Sequence, residues 1–463
     1  MDPVYTKIGL LDHLGGGNLG DDATLAAVMH NIKTRWPDAV VIGLTLNPKD
    51  TQTRHGIPTY AIRTKTWDLG YRIVRSEVTC KDKLKSVVSK YRSLFSLVRA
   101  IYTVAIRMPR TLFQEFFFLC KSFRIIKSFD LLIINGGGQL TEWGGPWLFP
   151  YTIFKWILLA RLAHVKRVFL NVGAGPLTHP LSKFFVRRAL LLADYASFRD
   201  ENSRTVAHKI GFTRRSQVCP DSVYSLPIPA LNVSGGIRRT GKLIVGIAPM
   251  PYCDPRVYPE KDQVTYDGFI RKLALFGASL IRRDYTLALF GSDIGIDPLA
   301  IEDLHSTLRS EIEPSESNRI DNAAVHSGEE LLARMSTMDY VVTCRFHGVV
   351  FAHMLNIPVL AISHHPKVAS LMHDLGLSQY CVDIRKLDVQ LLTDTFLSLV
   401  SSHDAIRRRM AERLACYKRE LTLQFDDLFA PKVTSRILLN LRKGMLLPRG
   451  VQTTGDAVHH APR

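Results

Sequence analysis

Short apolar runs alternate with amphipathic stretches along most of the chain. In the N-terminal part, Lys7–Leu14 and Ala39–Leu46 have the pattern of buried strands, and Asp21–Arg35 between them has helical periodicity. Two further apolar runs, Asp130–Asn135 and Arg167–Val172, are each followed by glycine. A strand, a glycine-rich turn and a helix in succession are typical of βαβ units on a parallel sheet. The pattern therefore predicts a parallel α/β region whose ligands bind at the carboxyl ends of the strands.

A second alternating series follows residues 225–242, a stretch with proline and glycine but no apolar periodicity. Its predicted strands are Leu243–Ala248, Tyr285–Phe290, Tyr340–Thr343 and Val359–Ile362, and its predicted helices are Asp267–Arg282, Gly328–Met335 and Phe346–Leu355. Residues from 385 to 442 have a helical pattern. We therefore expect an N-terminal domain over residues 1–230, a C-terminal domain with added helices over residues 241–442, and a mobile tail over residues 443–463.

The charge balance narrows the choice of partners. The 463 residues include 60 Lys and Arg against 42 Asp and Glu, a formal net charge of +18. Such a charge suits phosphates or anionic lipid surfaces. Because the basic residues are spread out and no recognition module is visible, nucleic acid is not expected as a partner. The hydrophobic content of 46% excludes wholesale disorder.

Residues 80–127 differ from the rest of the chain, since they combine apolar and aromatic residues with many Lys and Arg and almost no acids. Two interpretations remain open. The segment is either an insertion of helices packed on the N-terminal domain, with the stems of its basic side chains along the surface, or an amphipathic surface that contacts anionic lipid.

Cysteine usage and the termini bear on the compartment. The seven cysteines are scattered and form no CxxC pair, which argues against a disulfide framework and a zinc site and favours a reducing compartment. The N-terminus lacks the basic region and cleavage site of a signal peptide. Every apolar stretch that approaches the length of a membrane-spanning helix, about 18 residues, contains a charged residue. We expect a cytoplasmic protein, and leave open a peripheral contact with the inner face of the membrane.

Two glycine-rich corners are candidate ligand loops. The first, GGGNLGDD at residues 15–22, lies between a strand and a helix, where glycine permits close approach of a ligand and the free N–H groups of the helix attract anions. Gly17, Asn18 and Asp21 are its candidate binding residues. The alternative is a tight turn in which Asp21 or Asp22 caps the helix. The corner has no acidic residue placed for a dinucleotide ribose and no Walker lysine.

The second corner, NGGGQL at residues 135–140, follows an apolar strand. Successive glycines are costly in entropy unless the backbone conformation requires them. Gly137 and Gly138 are therefore candidates for a loop that lines a crevice, and the alternative is a sharp strand-to-helix corner.

Three basic residues and one histidine are the candidates for chemistry. Arg345 and His347 lie one residue apart in TCRFHG, between a predicted strand and an apolar helix. A fixed cation beside a titratable imidazole suits an anionic substrate that needs proton transfer. Arg199 in SFRD can bind a carboxylate or phosphate through two hydrogen bonds. Lys367 offers a further phosphate contact.

Six segments in order resemble the polysaccharide pyruvyl transferase family: GGGNLGDDA at 15–23, INGGGQL at 134–140, SFRDENS at 197–203, PDSV at 220–223, CRFHGVVFAHMLNIPV at 344–359 and PKV at 366–368. The resemblance extends over residues 7–380. Arg345 and His347 match the Arg-x-His of the family, and Arg199 matches its Ser-x-Arg-Asp. The chain departs from the family pattern at Phe346, where Leu is usual, and at His364-His365, where an aromatic residue commonly precedes the lysine.

The resemblance implies two Rossmann-like domains that face each other across a cleft, as in GT-B glycosyltransferases, with the active site in the cleft. It implies phosphoenolpyruvate as donor and a sugar as acceptor, which together give a pyruvate ketal. In this reading His347 is the general acid/base, Arg199, Arg345 and Lys367 bind the donor, and neither a metal nor an organic cofactor is needed. The alternatives are a GT-B-type glycosyltransferase that uses a nucleotide sugar and a non-catalytic relative that binds glycan or membrane. The acceptor sugar and the oligomeric state cannot be deduced from the sequence.

Overall fold

The computed structural model describes residues 5–12, 15–64, 108–228 and 241–429. The first half of the described chain forms one eight-stranded parallel sheet in the order β3-β2-β1-β4-β6-β7-β8, with β5 paired to β6. Its strands are β1 (Lys7–Leu11), β2 (Val40–Thr45), β3 (Thr59–Ala61), β4 (Leu131–Ile134), β5 (Gly137–Leu140), β6 (Lys166–Ala174), β7 (Tyr195–Phe198) and β8 (Gln217–Val218). The helices of this half are α1 (Leu19–Arg35), α2 (Pro48–His55), α3 (Met108–Ile126), α4 (Phe149–Leu162), α5 (Pro180–Leu192) and α6 (Glu201–Lys209).

The second half repeats this arrangement with a six-stranded parallel sheet in the order β11-β10-β9-β12-β13-β14. Its strands are β9 (Ile244–Ala248), β10 (Thr286–Leu289), β11 (Ile320–Asp321), β12 (Tyr340–Thr343), β13 (Val359–Ser363) and β14 (Cys381–Asp383). Its helices are α7 (Gln263–Arg282), α8 (Asp297–Ser310), α9 (Gly328–Met335), α10 (Phe346–Met354), α11 (Pro366–Asp374), α12 (Val389–Ser401) and α13 (His403–Phe429). Two parallel sheets covered by helices make the fold α/β and GT-B-like, as the resemblance implied.

The strands are apolar throughout because helices cover both faces of each sheet. β4, with the sequence LLII, is fully buried, and so is β9, with the sequence IVGIA. One hydrophobic cluster continues from one face of the first sheet into the second sheet, and a second cluster fills the other face of the first sheet. The continuous core holds the carboxyl ends of the two sheets against each other.

The element boundaries differ from the predicted ones by a few residues. β1 ends at Leu11 rather than Leu14, because the carboxylate of Asp12 accepts hydrogen bonds from Asn135 and Gln139 at the strand end. Helix α1 begins at Leu19, two residues earlier than predicted, since the side chain of Asn18 accepts a hydrogen bond from the Gly20 N–H. The cap of α1 is therefore Asn18, and not Asp21 or Asp22.

The last helix returns to the first sheet. The Gln424 amide on α13 exchanges hydrogen bonds of 2.8 and 2.9 Å with the side chain of Asn171 on β6, and it also contacts the Tyr195 hydroxyl at 2.9 Å. Asp426 accepts hydrogen bonds from Arg35 on α1. Residues 430–463, which include the predicted tail, and residues 65–107, which include positions 80–107 of the basic segment, lie outside the described residues.

Candidate active site

A cavity of about 360 Å³ lies where the carboxyl ends of the two sheets meet. That volume is within the range of small-molecule sites. Its walls come from strand-to-helix corners of both halves, namely Gly15, Gly16, Asn18, Asp21, Asp22, Leu46, Gly138, Gln139, Trp143, Phe149, Arg199, Ser292, Asp293, Arg345, Phe346, His347 and Lys367. Parallel sheets bind ligands at this end, where helix N-termini and loops converge.

The glycine corner before α1 is shaped around the imidazole of His347. A Cβ atom on Gly20 would lie 1.9 Å from His347 Nδ1, so the imidazole occupies the space that any side chain at position 20 would need. Gly17 has a φ of 79°, a conformation that favours glycine, and its carbonyl accepts a hydrogen bond of 2.9 Å from Ile294 N. Gly17 therefore joins the two halves instead of lining the cavity.

The second glycine corner is held by a buried carboxylate. Asp12 accepts hydrogen bonds of 2.7 Å from Asn135 Nδ2 and 2.6 Å from Gln139 Nε2. Gly138 lines the cavity, whereas Gly137, at φ 80°, lies beside Asp21, whose Oδ1 would be 3.0 Å from a Cβ at position 137. Asp12 was not among the predicted residues, because its partners are more than 120 positions away along the chain.

Arg199 enters the cavity from the end of β7 and is held loosely. Its guanidinium nitrogens lie 3.4 Å from Asp200 and 3.5 Å from Asp221, and its Nε, although buried, has no hydrogen-bond partner in the described part of the chain. The ring of Phe346 lies 4.3 Å from the guanidinium carbon, within cation–π range. The departure from the family pattern at position 346 thus gives Arg199 an aromatic support.

Arg345 enters from the second half and is held firmly. Its guanidinium donates two hydrogen bonds to the carboxylate of Asp297, one from Nε at 3.0 Å and a shorter one from Nη2. The side chain of Asp297 is 0% exposed. Asp293 lies 3.8 Å away. The other oxygen of Asp297 accepts the backbone N–H groups of residues 292 and 293. Arg345 thus neutralises a buried carboxylate that also fixes a wall of the cavity.

The imidazole of His347 is 7% exposed and lines the cavity from the first turn of α10. Its Nε2 lies 3.9 Å from Asp221 Oδ2, and within the described residues neither atom has a hydrogen-bond partner. Burial and the nearby cations Arg199 and Lys367 lower the pKa of His347 well below its usual value. The imidazole is therefore neutral at pH 7 and able to accept a proton.

Lys367 supplies the third cation, from the first turn of α11. Burial and repulsion from Arg199 and Arg345 lower its pKa to about 8, so most of it remains protonated at pH 7. The preceding His365 accepts a hydrogen bond of 3.3 Å from the Lys367 N–H. Positive charges that depress one another's proton affinity form a site in which a polyanion relieves the repulsion.

Asp21 has properties that the sequence did not indicate. It lies in the first turn of α1 and lines the cavity, and burial is the largest cause that raises its pKa to about 7. Asp22 and Asp221 raise this pKa further, while Lys367 and Arg199 lower it. Asp21 is therefore about half protonated at pH 7, as a general acid requires.

Two aromatic residues of the cavity were missed by the sequence analysis. Trp143 and Phe149, whose ring centroids are 5.3 Å apart, line the cavity from the segment that follows the second glycine corner. The signal that could have identified them is the aromatic and glycine content of EWGGPWLF at residues 142–149. Aromatic walls with a few polar groups are typical of small-molecule sites.

The structure brings seven of the nine predicted site residues to one cavity: Asn18, Asp21, Gly138, Arg199, Arg345, His347 and Lys367. Gly17 and Gly137 lie behind its wall. The two halves are joined beside the cavity by backbone hydrogen bonds from Leu19 N to Ser292 O (2.8 Å) and from Ile294 N to Gly17 O (2.9 Å).

Solved structures resemble this chain in fold. The S. aureus MnaA–UDP co-structure has a TM-score of 0.50 at 12% identity, over 94% of this chain and 97% of that chain. The UDP-GlcNAc 2-epimerase from Methanocaldococcus jannaschii has a TM-score of 0.51 at 11% identity, over 84% of this chain and 92% of that chain. The N-terminal domain of the Candida albicans trehalose-6-phosphate phosphatase has a TM-score of 0.50 at 11% identity, over 91% and 98% of the two chains. At these identities the likeness concerns the fold alone.

Sequence comparison identifies the family. No curated protein matches the chain significantly in sequence. The sequence profile described as polysaccharide pyruvyl transferase matches residues 18–366, which contain all of the predicted site residues except Gly17 and Lys367, each a single position outside the match. Since this match covers most of its length, the chain belongs to the polysaccharide pyruvyl transferase family.

Proposed function

We propose that this protein transfers the pyruvyl group of phosphoenolpyruvate to a sugar of a polysaccharide or its precursor and closes it into a ketal across two hydroxyls. The observation that carries the proposal is the convergence of Arg199, Lys367 and the neutral imidazole of His347 on one cavity in a member of this family. Phosphoenolpyruvate carries a carboxylate and a phosphate, close to three negative charges, and so matches this set of cations.

Donor binding follows from the charges. Arg199, whose nearest carboxylate oxygens lie 3.4 and 3.5 Å away, and Lys367 are less tightly paired than Arg345, so we assign the carboxylate and the phosphate of the donor to them. Arg345 is already paired with Asp297, and its part is to keep that wall of the cavity in place. Binding of the polyanion offsets the repulsion that lowers the pKa of Lys367 and His347, which favours proton uptake when the donor binds.

The reaction needs a proton for the methylene carbon of the donor and a base for the acceptor hydroxyl. Asp21, in its protonated form, gives its proton to the methylene carbon, and C2 becomes cation-like. A sugar hydroxyl then attacks C2 while His347 takes the hydroxyl proton. The opposite pKa shifts of the two residues, which both line the cavity, support these roles.

The remaining steps of the reaction restore the protonation states of Asp21 and His347. The C2–O bond to phosphate breaks, and protonated His347 gives its proton to the departing phosphate. A second sugar hydroxyl closes the ring on C2 and returns a proton to the Asp21 carboxylate. One phosphoenolpyruvate and one diol thus yield one ketal and one hydrogen phosphate. Trp143 and Phe149 are placed to pack against the sugar. We place this reaction in the cytoplasm, where the donor is made.

The test compares His347→Ala with His373→Ala, a matched control whose side chain is 81% exposed. The measured quantity is phosphate release from phosphoenolpyruvate in the presence of sugars with two hydroxyls placed to form a cyclic ketal. We expect His347→Ala to lower turnover by about 10²–10⁴-fold, and His373→Ala to leave it unchanged. Near-normal turnover in His347→Ala would refute the assignment.

A second measurement separates the donor from the nucleotides that some enzymes of this fold bind. Thermal stabilisation of the protein is recorded with phosphoenolpyruvate and with UDP, GDP and CDP sugars. We expect stabilisation by phosphoenolpyruvate and its loss in Arg199→Ala. Stabilisation by a nucleotide sugar alone would instead indicate a glycosyltransferase.

A further inference from the structure

Three neighbouring helices of the first half form one surface that lies apart from the candidate donor-binding residues. Helix α4 packs between α3 and α5. Lys155 on α4 donates a hydrogen bond of 2.8 Å to Glu115 on α3, and on the other side the ring of Phe154 lies 6.3 Å from Phe184 on α5 and stacks on Phe185. We call the exposed side of α3, α4 and α5, with the preceding Trp147, the aromatic face.

Large apolar side chains on the aromatic face are open to solvent. On α3, Phe113, Phe116 and Phe117 are 65%, 61% and 55% exposed. Five further apolar residues of the face are exposed, namely Trp147, Leu158, Leu162, Leu181 and Phe184. Soluble proteins rarely expose so many large apolar side chains on adjacent helices unless something binds there.

The charges around this face have one sign. Residues 113–192 contain ten Lys and Arg and three acids. Each acid is engaged within the protein: Glu115 pairs with Lys155, Asp130 accepts hydrogen bonds from the first residues of β1, and Glu142 accepts them from residues 178 and 179. The exposed basic residues are Lys121, Arg124, Lys127, Arg161, Lys183, Arg187 and Arg188. Exposed aromatic side chains beside exposed cations match the interface of an anionic bilayer.

The aromatic face continues into the cavity. The ring centroids of Trp147 and Phe185 of α5 are 5.5 Å apart. Four residues before Trp147 in the chain, Trp143 lines the cavity and packs on Phe149, the first residue of α4. A surface bound to the aromatic face therefore lies next to the part of the cavity that Trp143 and Phe149 line.

We propose that the aromatic face docks on an anionic phospholipid bilayer, with its aromatic side chains at the level of the headgroups and its basic side chains on the lipid phosphates. None of the helices in the described ranges has both the length and the apolar character to cross a bilayer. The proposed docking is peripheral. It goes beyond the proposed reaction and does not depend on the identity of the donor.

The test is flotation of the full chain, without phosphoenolpyruvate, with vesicles of phosphatidylcholine alone or of equal parts phosphatidylcholine and phosphatidylglycerol. We expect binding to the second kind only, weakened but not abolished by high salt, since salt screens charges and leaves aromatic insertion intact. The triple variant Phe113→Ser, Phe116→Ser, Phe117→Ser is expected to bind at least about tenfold more weakly.

A matched triple variant changes exposed apolar residues elsewhere. It combines Val264→Ser, Leu391→Ser and Leu397→Ser, at positions on the second half that are 83%, 46% and 37% exposed. We expect this variant to bind vesicles as the wild type does. Lys183→Gln and Arg188→Gln are each expected to weaken binding about fivefold at low salt. Absence of binding by the wild-type chain, or equal effects of the two triple variants, would overturn the proposal.

An exposed apolar face of this kind can also bind a second copy of the same chain. Sedimentation velocity of the wild-type chain distinguishes it, because an oligomer that dissociates in the phenylalanine variant, together with unchanged vesicle binding, would assign the face to a second copy of the chain. Binding of phosphoenolpyruvate, measured without vesicles, is expected to be the same in the wild type and both triple variants. A failure of the docking proposal is therefore distinct from a failure of the donor assignment.

Discussion

Each half of the molecule contributes one arginine from the end of a strand to the same cavity, and the two are held in opposite ways. Arg199, after β7, lies 3.4 Å or more from its nearest carboxylate oxygens, and its buried Nε makes no hydrogen bond to any residue that the structure describes. Arg345, after β12, is bonded twice to a carboxylate that is fully buried. A cation that is already neutralised stabilises the fold, whereas one that is loosely held is available to a ligand.

The presence of an arginine in a strand-to-helix corner does not by itself assign its role. The sequence gives the two arginines similar settings, and the resemblance made Arg345 a donor-binding and catalytic residue. The role of each depends on which carboxylates lie opposite, and Asp297 is 48 positions from Arg345. We therefore propose that Arg345 positions the wall of the cavity and that Arg199 binds the donor.

The largest expected effect is on the stability of Arg345→Ala. The substitution leaves the Asp297 carboxylate buried without its cation, and we expect the free energy of unfolding to fall by about 3–5 kcal/mol. Urea denaturation measures it. The double variant Arg345→Met, Asp297→Asn should regain part of the loss, because the buried charge is gone. Unchanged stability together with lost turnover would instead make Arg345 a catalytic residue and remove the contrast.

Arg199→Ala is expected to lower activity more than stability, the reverse of Arg345→Ala. Loss of a loosely paired cation at the donor site should lower kcat/KM for phosphoenolpyruvate by about 10²–10³-fold. The free energy of unfolding should fall by about 1–3 kcal/mol, less than in Arg345→Ala, because buried Asp221 loses a cation at 3.5 Å while repulsion on Lys367 and His347 is relieved. Arg385→Ala, at an exposed position, is the matched control. An Arg199→Ala enzyme with normal KM would show that the loosely held guanidinium does not meet the donor.

The pH dependence of kcat/KM tests the proposed acid of the first half, Asp21, and the proposed base of the second half, His347. Asp21 loses its proton as the pH rises through about 7, so kcat/KM should fall about tenfold per pH unit above 7 and more steeply above the Lys367 pKa of about 8. No acidic limb from His347 is expected near its usual pKa, because that pKa is lowered.

Two variants sharpen this profile. In Asp21→Asn the residual activity should lose the inflection near pH 7. In Asp22→Asn the inflection should remain but move to lower pH, since Asp22 raises the pKa of Asp21. An unchanged inflection in Asp21→Asn would assign the acid to another group.

The smallest expected effect is that of Phe346→Leu, which restores the usual family residue. The substitution removes the ring that supports the Arg199 guanidinium at 4.3 Å, an interaction of about 0.5–1 kcal/mol. The Kd for phosphoenolpyruvate, measured by calorimetry, should rise about two- to fivefold. The same substitution in an Arg199→Ala background should have no effect, because the partner is gone. Equal effects in both backgrounds would show that Phe346 acts independently of Arg199.

Local patterns predicted much of the fold. The strand Tyr340–Thr343 and the helix Gly328–Met335 have the predicted bounds, because apolar runs and helix caps are local signals. The resemblance also placed Arg199 and His347 together across a cleft, and their side chains do line one cavity. The structural family was thus accessible from short motifs in the right order.

The rest depended on contacts between distant parts of the chain. The pairing of Arg345 with Asp297 and the raised pKa of Asp21 both arise from residues brought together only by folding. Trp143 and Phe149 were missed because their segment has no periodic pattern, although it leads from a glycine corner into α4. A sequence lists the charged groups of a site, but their protonation depends on burial and neighbours.

Helix α13 has a consequence for how the cavity can open. It follows the second sheet in the chain, yet its Gln424 is hydrogen-bonded to Asn171 of the first sheet. Separating α13 from the first sheet would break these two buried hydrogen bonds and the packing around them, so the crossing resists separation. If the halves move to admit substrate, we expect rotation about this crossing rather than separation, at the expense of the backbone bonds between residues 17–19 and 292–294.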